Sequence, residues 1–149
     1  MGGGDLVPLP QDVAVVVLDT IGELATLMQI ATIVFLGGSL VPTGGHNLLE
    51  PAVWGKPVVF GPHMQNFAEL AELFLMHRAA RQIDSTDALQ PVLAELLGDP
   101  VQRAALGAAA RALVDANRGA TDRTLGAVAS LLSLAGGADT GAVRPFGTQ

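Results

Sequence analysis

The sequence predicts an α/β fold, a parallel sheet covered by helices, on three observations. Short apolar runs rich in valine alternate with longer stretches whose apolar residues recur at helical spacing. The runs are apolar at successive positions, as in strands buried on both faces. Glycine, proline, asparagine and histidine cluster where runs give way to helices, at the sheet edge where such folds bind ligands.

Each element follows in order. Residues 1–12 are a Gly- and Pro-rich lead-in without periodicity. Val13 to Leu18 (VAVVVL) reads as a buried strand. Thr20 then stands three residues before Glu23, the spacing of a capping box, ahead of a helix through IGELATLMQI with Leu24, Leu27 and Met28 on one face. TIVFLGG is a second strand, His46 to Trp54 a helix, PVVFG a third strand, and Gln65 to Met76 a further helix. RQI is a weak fourth strand, and Ser85 opens a helix through Leu97. DPVQRAALGAAARALVDAN is the next helix, with Pro100 near its start. Ala120 to Leu134 is expected to be a separate helix, and residues 135–149 a flexible tail. Met28, Met64 and Met76 are expected to pack on helix faces, and Trp54 to anchor its helix on the sheet.

A chain of 149 residues is the size of one domain. Half its residues are hydrophobic and few are aromatic, so Ala, Val and Leu must fill the core. No run reaches the ~18 apolar residues of a membrane span. Lack of cysteine excludes disulfides and thiolate chemistry and fits a reducing compartment. Through His77 seven acids face Lys56 alone, and from Arg78 onward seven arginines balance seven acids. An acidic first half argues against binding nucleic acid through its phosphates. A phosphate held in that half must rely on backbone N–H groups.

Three loops carry the chemistry: Asp19–Glu23, Gly37–Glu50 and Gly61–Phe67. In GGSLVPTGGHNLLEP, Gly37 and Gly38 let the backbone leave a strand, and Gly44 and Gly45 precede a helix start whose free N–H groups suit a phosphate. Asn47 can cap that helix or reach a ligand. Glu50, one turn in, can accept hydrogen bonds from a pair of sugar hydroxyls, or simply favour the helix dipole. DTIGE reads chiefly as a strand–turn–helix junction. His63 in GPHMQNF lacks a visible partner for base catalysis and reads as a hydrogen-bonding or packing residue. His46, His63 and His77 have no metal-ligand spacing, and no P-loop, G-x-G-x-x-G or G-x-S-x-G is present.

Taken together, DTIGEL, FLGGSLVPTGGHNLLEPA, GKPVVFGPHMQNFAE and NRGATDRTL closely resemble the 3-deoxy-D-manno-octulosonic acid (Kdo) transferases of lipopolysaccharide synthesis, from about Val13 to Leu132. The resemblance implies a GT-B glycosyltransferase of two Rossmann-like domains, with residues 13–134 forming part of the C-terminal, CMP-sugar-binding domain. The implied reaction is inverting transfer of Kdo from CMP-Kdo to a lipid A precursor, without a cofactor and without a protein-bound metal. By the same resemblance, Ile21, Gly22 and Glu23 form one CMP-contacting segment, and Asn47, Leu48, Leu49 and Glu50 the second, with Glu50 at the ribose. Gly38, Ser39, Gly44, Gly45 and His46 would shape the phosphate end.

Two departures stand out. The family usually places proline after G-G-H-N, where this chain has Leu48. The family's catalytic base is a glutamate of an N-terminal domain that has no counterpart here, so no catalytic residue is expected in this chain and no activity from it alone. In the family's strand order 3-2-1-4-5-6 the strands here look like 3 to 6. Either the chain is a fragment, or its strands pair differently, through self-association for instance. The resemblance puts the whole enzyme at the cytoplasmic face of the bacterial inner membrane and meets the acceptor through the absent domain. The alternatives are a GT-B portion using another nucleotide sugar and a non-catalytic remnant.

Overall fold

The computed structural model describes residues 13–20 and 22–136, from residue 119 onward as backbone only. Three parallel strands lie in the order β1 (Val34–Leu36), β2 (Val58–Phe60), β3 (Arg81–Gln82). Val34 pairs with Val58, Leu36 with Phe60, and Phe60 with Gln82. The helices are α1 (Leu24–Leu27), α2 (Leu49–Val53), α3 (Ala68–Met76), α4 (Leu89–Gly98) and α5 (Pro100–Gly136). Tighter single turns at Met28–Ile30, Gly37–Leu40, Gln65–Phe67 and Thr86–Ala88 extend or precede them.

The pleat of β2 divides the core. Val58 and Phe60 face a cluster with Leu48, Ala52, Phe74 and Ala110, from the α2, α3 and α5 side. Val59 points the other way, to Ile83 and to Leu96 of α4. Successive strand residues point to opposite faces, so a strand covered on both sides must be apolar throughout. The α/β class expected from the sequence is therefore present, with helices on both faces of a parallel sheet.

Two expected elements differ. Val13–Leu18 forms no strand, and Val15 and Val17 are 78% and 82% exposed. A strand needs a neighbour's N–H and C=O groups. In the order 3-2-1-4-5-6 the observed sheet is 4-5-6, and strand 3 pairs only with strand 2. No counterpart of strand 2 exists among the described residues, so the run has valines suited to a sheet and no partner. The second difference is at the other end: the helices expected on either side of residue 120 are one, Pro100–Gly136. Gly107 and Gly119 lie within it. A mid-helix glycine costs only about 1 kcal/mol, too little to end a helix that packing supports.

Asp99 starts α5, its Oδ1 accepting from Gln102 N at 2.9 Å. The helix passes α2 closely because Gly107 has no side chain where it meets the Gly55 carbonyl. Trp54 stays partly exposed, and Leu48, Pro51 and Ala52 anchor α2 instead. Met28 and Met64 are buried, but Met76 is 76% exposed. The tail expected over 135–149 lies outside the described residues except for the end of α5, and the lead-in of residues 1–12 lies wholly outside them.

Candidate functional site

The loops after β1 and β2 interlock beyond the C-terminal ends of those strands. Ser39 is fully buried between them: its hydroxyl donates to the Leu36 carbonyl and accepts from Gly61 N at 2.6 Å. Its carbonyl accepts from His63 N at 2.9 Å. Asn66 N donates to the Gly44 carbonyl at 3.1 Å, tying the far side of the first loop to the second.

Two glycines are required by this closure. Gly44 and Gly45 have φ of +96° and +82°, where a Cβ is unfavourable. A Cβ on Gly44 would also collide with the Asn66 side chain, and one on Gly45 would sit 2.5 Å from Met64 Sδ. The His46 ring lies over Gly38, where a Cβ would come within 2.5 Å of its Nε2, and Thr43 Oγ1 donates to the Gly38 carbonyl at 2.7 Å. Gly38, Ser39, Gly44 and Gly45 thus shape the loop.

A pocket of about 300 Å³ opens along β1 and its C-terminal end, lined by Gly37, His46, Asn47 and Glu50. Leu24, Met28 and Phe35 supply an apolar wall on which a flat ring can lie. Glu50 is the one carboxylate in that lining. Asn47 Oδ1 accepts from Leu49 N at 3.0 Å, so the side chain caps the start of α2, which begins at Leu49 and not at His46 as expected, and holds Glu50 in the first turn. With five residues α2 has a small dipole, and loop N–H groups matter more than helix charge here.

The sequence-predicted residues divide accordingly. His46, Asn47 and Glu50 meet at the pocket. Leu48 does not: its side chain is fully buried in the core, so only its backbone can meet a ligand. That burial also answers its replacement of the usual proline, since the leucine secures the helix start by packing. Leu49 packs partly against the same core. Ile21 lies outside the described residues. Gly22, with φ +98°, and Glu23 are exposed. Thr20 Oγ1 donates to Glu23 Oε2 at 2.5 Å, a side-chain pair in place of the expected reciprocal capping box, and Glu23 itself is the cap of α1. The pocket is met instead by Leu24 of α1 and Met28 of the turn after it, and its lining includes neither Gly22 nor Glu23. His63 makes a 3.3 Å contact from Nδ1 to Gln65 Nε2, the hydrogen-bonding role expected of it.

Sequence reasoning missed Asn66 and Gly61 as partners of the glycine loop. Gly61 passes so close to Ser39 that a Cβ would stand 2.5 Å from its carbonyl oxygen. The spacing of a glycine and an asparagine around GPHMQNF was visible, but not that they would face Gly44 and Ser39. No group of three or more metal-ligating side chains occurs among the described residues.

Parallel strands, helices on both faces and a glycine-rich loop bearing a carboxylate at the strand ends make this part of a Rossmann-like α/β fold. The chain is 40% identical over 119 residues to the 3-deoxy-D-manno-octulosonic acid transferase of Haemophilus influenzae, covering 78% of this chain and 28% of that protein. Over 111 residues it is 41% identical to the Bordetella pertussis enzyme of the same name, covering 74% and 26%. It also matches the crystal structure of the C-terminal CMP-Kdo binding domain of WaaA from Acinetobacter baumannii, with a TM-score of 0.62 and 32% identity, over 65% of this chain and 51% of that one. No family model matches. The chain is thus a relative of the Kdo transferases, similar to their C-terminal part, and spans about a quarter of the length of these curated relatives.

Proposed function

We propose that this chain is the donor-binding portion of a Kdo transferase and holds the CMP moiety of CMP-Kdo. The observation that carries this is the meeting of Glu50, Asn47, His46 and Gly37 around one pocket at the end of β1. Glu50 accepts hydrogen bonds from the ribose hydroxyls, and N–H groups of the two interlocked loops face the phosphate. Gly22 and Glu23 approach from the Asp19–Glu23 loop. The whole transferase passes Kdo to a lipid A precursor at the cytoplasmic face of the inner membrane, with inversion at the anomeric carbon. Its catalytic base comes from outside this chain, which by itself turns over no CMP-Kdo.

Calorimetric titration of the purified chain with CMP, UDP and GDP tests the reading. CMP is expected to bind more tightly than the other two, and Glu50→Ala to weaken it about tenfold, the scale of a hydrogen bond to a charged group. Preference for UDP would place the chain with another nucleotide sugar. An affinity unchanged in Glu50→Ala would leave a folded remnant without a donor site.

A further inference from the structure

We propose that a second cavity, at the N-terminal end of β3, binds a phosphate ester bearing a hydroxyl group. This end of the sheet is opposite the nucleotide pocket, and the inference is independent of the donor-site reading. The cavity measures about 450 Å³ and is bordered by His77, Arg78 and Arg81 from the segment HRAAR that joins α3 to β3. Gln102 of α5 contributes an amide, and Leu75 and Leu106 give apolar walls.

Three features point to a ligand. First, the Arg78 guanidinium makes no hydrogen bond or ion pair with any described residue, while its backbone is fixed at φ +53° by the cap of α3, where Ala79 N donates to the Phe74 carbonyl and Arg78 N to the Leu75 carbonyl. Second, Arg81 has one ion pair, with Glu95 at 3.6 Å between half-exposed side chains, which water largely screens. Two guanidiniums and an imidazole therefore border one cavity in a chain of net charge -6 with one carboxylate committed against them. Third, Gln102 Nε2 donates to Glu95 Oε1 at 3.1 Å, which turns its Oε1 inward, buried and without a partner. A buried acceptor left unpaired is costly, and a hydroxyl donor would relieve it.

The chemistry of the ligand follows. Guanidinium forks match phosphate oxygens in paired hydrogen bonds. A rotation of the Gln102 amide brings its buried Oε1 to a hydroxyl near the phosphate, and a short carbon skeleton can lie on Leu75 and Leu106. Glycerol phosphate has all three parts, whether free in solution or as the headgroup of an anionic lipid.

The test uses the full chain, with sn-glycerol 3-phosphate and inorganic phosphate in calorimetric titrations and phosphatidylglycerol against phosphatidylcholine vesicles in flotation. Saturable binding is expected for glycerol phosphate, and Arg78→Gly, which suits the backbone at that position, should weaken it about tenfold. CMP affinity should be unchanged in that variant. Gln102→Met should weaken glycerol phosphate more than inorganic phosphate, because only the former carries an alcohol hydroxyl set apart from its phosphate group. Binding to phosphatidylglycerol vesicles alone assigns the site to a lipid headgroup; binding to the free ester alone assigns it to a soluble metabolite. Absence of saturable binding to every probe overturns the proposal, as does binding that survives Arg78→Gly undiminished.

Discussion

Replacing Gly107 with alanine adds one methyl where α5 crosses the turn after α2. A Cβ there would stand 2.9 Å from the Gly55 carbonyl carbon and overlap its oxygen. Comfortable contact lies near ~3.5 Å, so α5 must retreat by at least about 0.6 Å. Both opposing groups are backbone, and no rotamer change relieves them. Two effects then compete. Alanine is preferred over glycine inside a helix by about 0.8–1.0 kcal/mol. Overpacking costs about 1–3 kcal/mol, and a rigid backbone contact belongs at the upper end. The net expectation is a loss of about 1–2 kcal/mol. Gly98, the last residue of α4, is the control, because a Cβ there meets nothing within 4 Å. Gly98→Ala should keep part of the propensity gain and stabilise by about 0.5 kcal/mol. Urea unfolding followed by circular dichroism gives both values. Because α5 packs on α2, which carries Glu50, Gly107→Ala should also weaken the proposed CMP binding while Gly98→Ala leaves it unchanged. A Gly107→Ala protein as stable as Gly98→Ala would refute the close approach of α5 to the α2 turn.

Ser39→Ala removes the acceptor of the Gly61 N–H in a buried setting and should cost about 1–3 kcal/mol in urea unfolding. A loss below about 0.5 kcal/mol would mean that this N–H finds another partner. Gly44→Ala should cost at least about 1 kcal/mol from backbone strain at φ +96°, with more from the clash with Asn66. The clash portion should vanish when Asn66→Ala is made alongside, and a fully additive pair would remove the inter-loop contact from the account. Val15→Lys and Val17→Lys should each change stability by no more than about 0.5 kcal/mol, since both side chains are exposed. A loss of several kcal/mol would show the run packed in a sheet.

Much of the fold was legible because local pattern and burial agree. Val58, Val59 and Phe60 are apolar in succession and are buried on both faces, and Asp99-Pro100 marks a helix start that the structure keeps. The candidate site was legible in part. Glu50, Asn47 and His46 stand within five residues at the loop end and helix start, so their meeting needs only local structure. Gly22 and Glu23 belong to a separate segment, and how near they come to Glu50 depends on packing that their own residues do not encode. Leu48 shows the same division: two residues before Glu50, it points into the core because helical backbone turns the side chain by about 200° over two residues.

By itself the sequence determined the class of fold, the three strands of the sheet, the glycine loop and the carboxylate near the start of the helix after it. Those are local matters, decided by side-chain periodicity, by glycine's access to positive φ and by caps a few residues away. Only the tertiary structure decided that Val13–Leu18 pairs with no strand among the described residues, that α5 runs without a break, and that Asn66 and Gly61 close the site loop. Each of these depends on a partner distant in the chain. A strand exists only beside another strand, and a glycine is indispensable only when something else occupies the space its side chain would need.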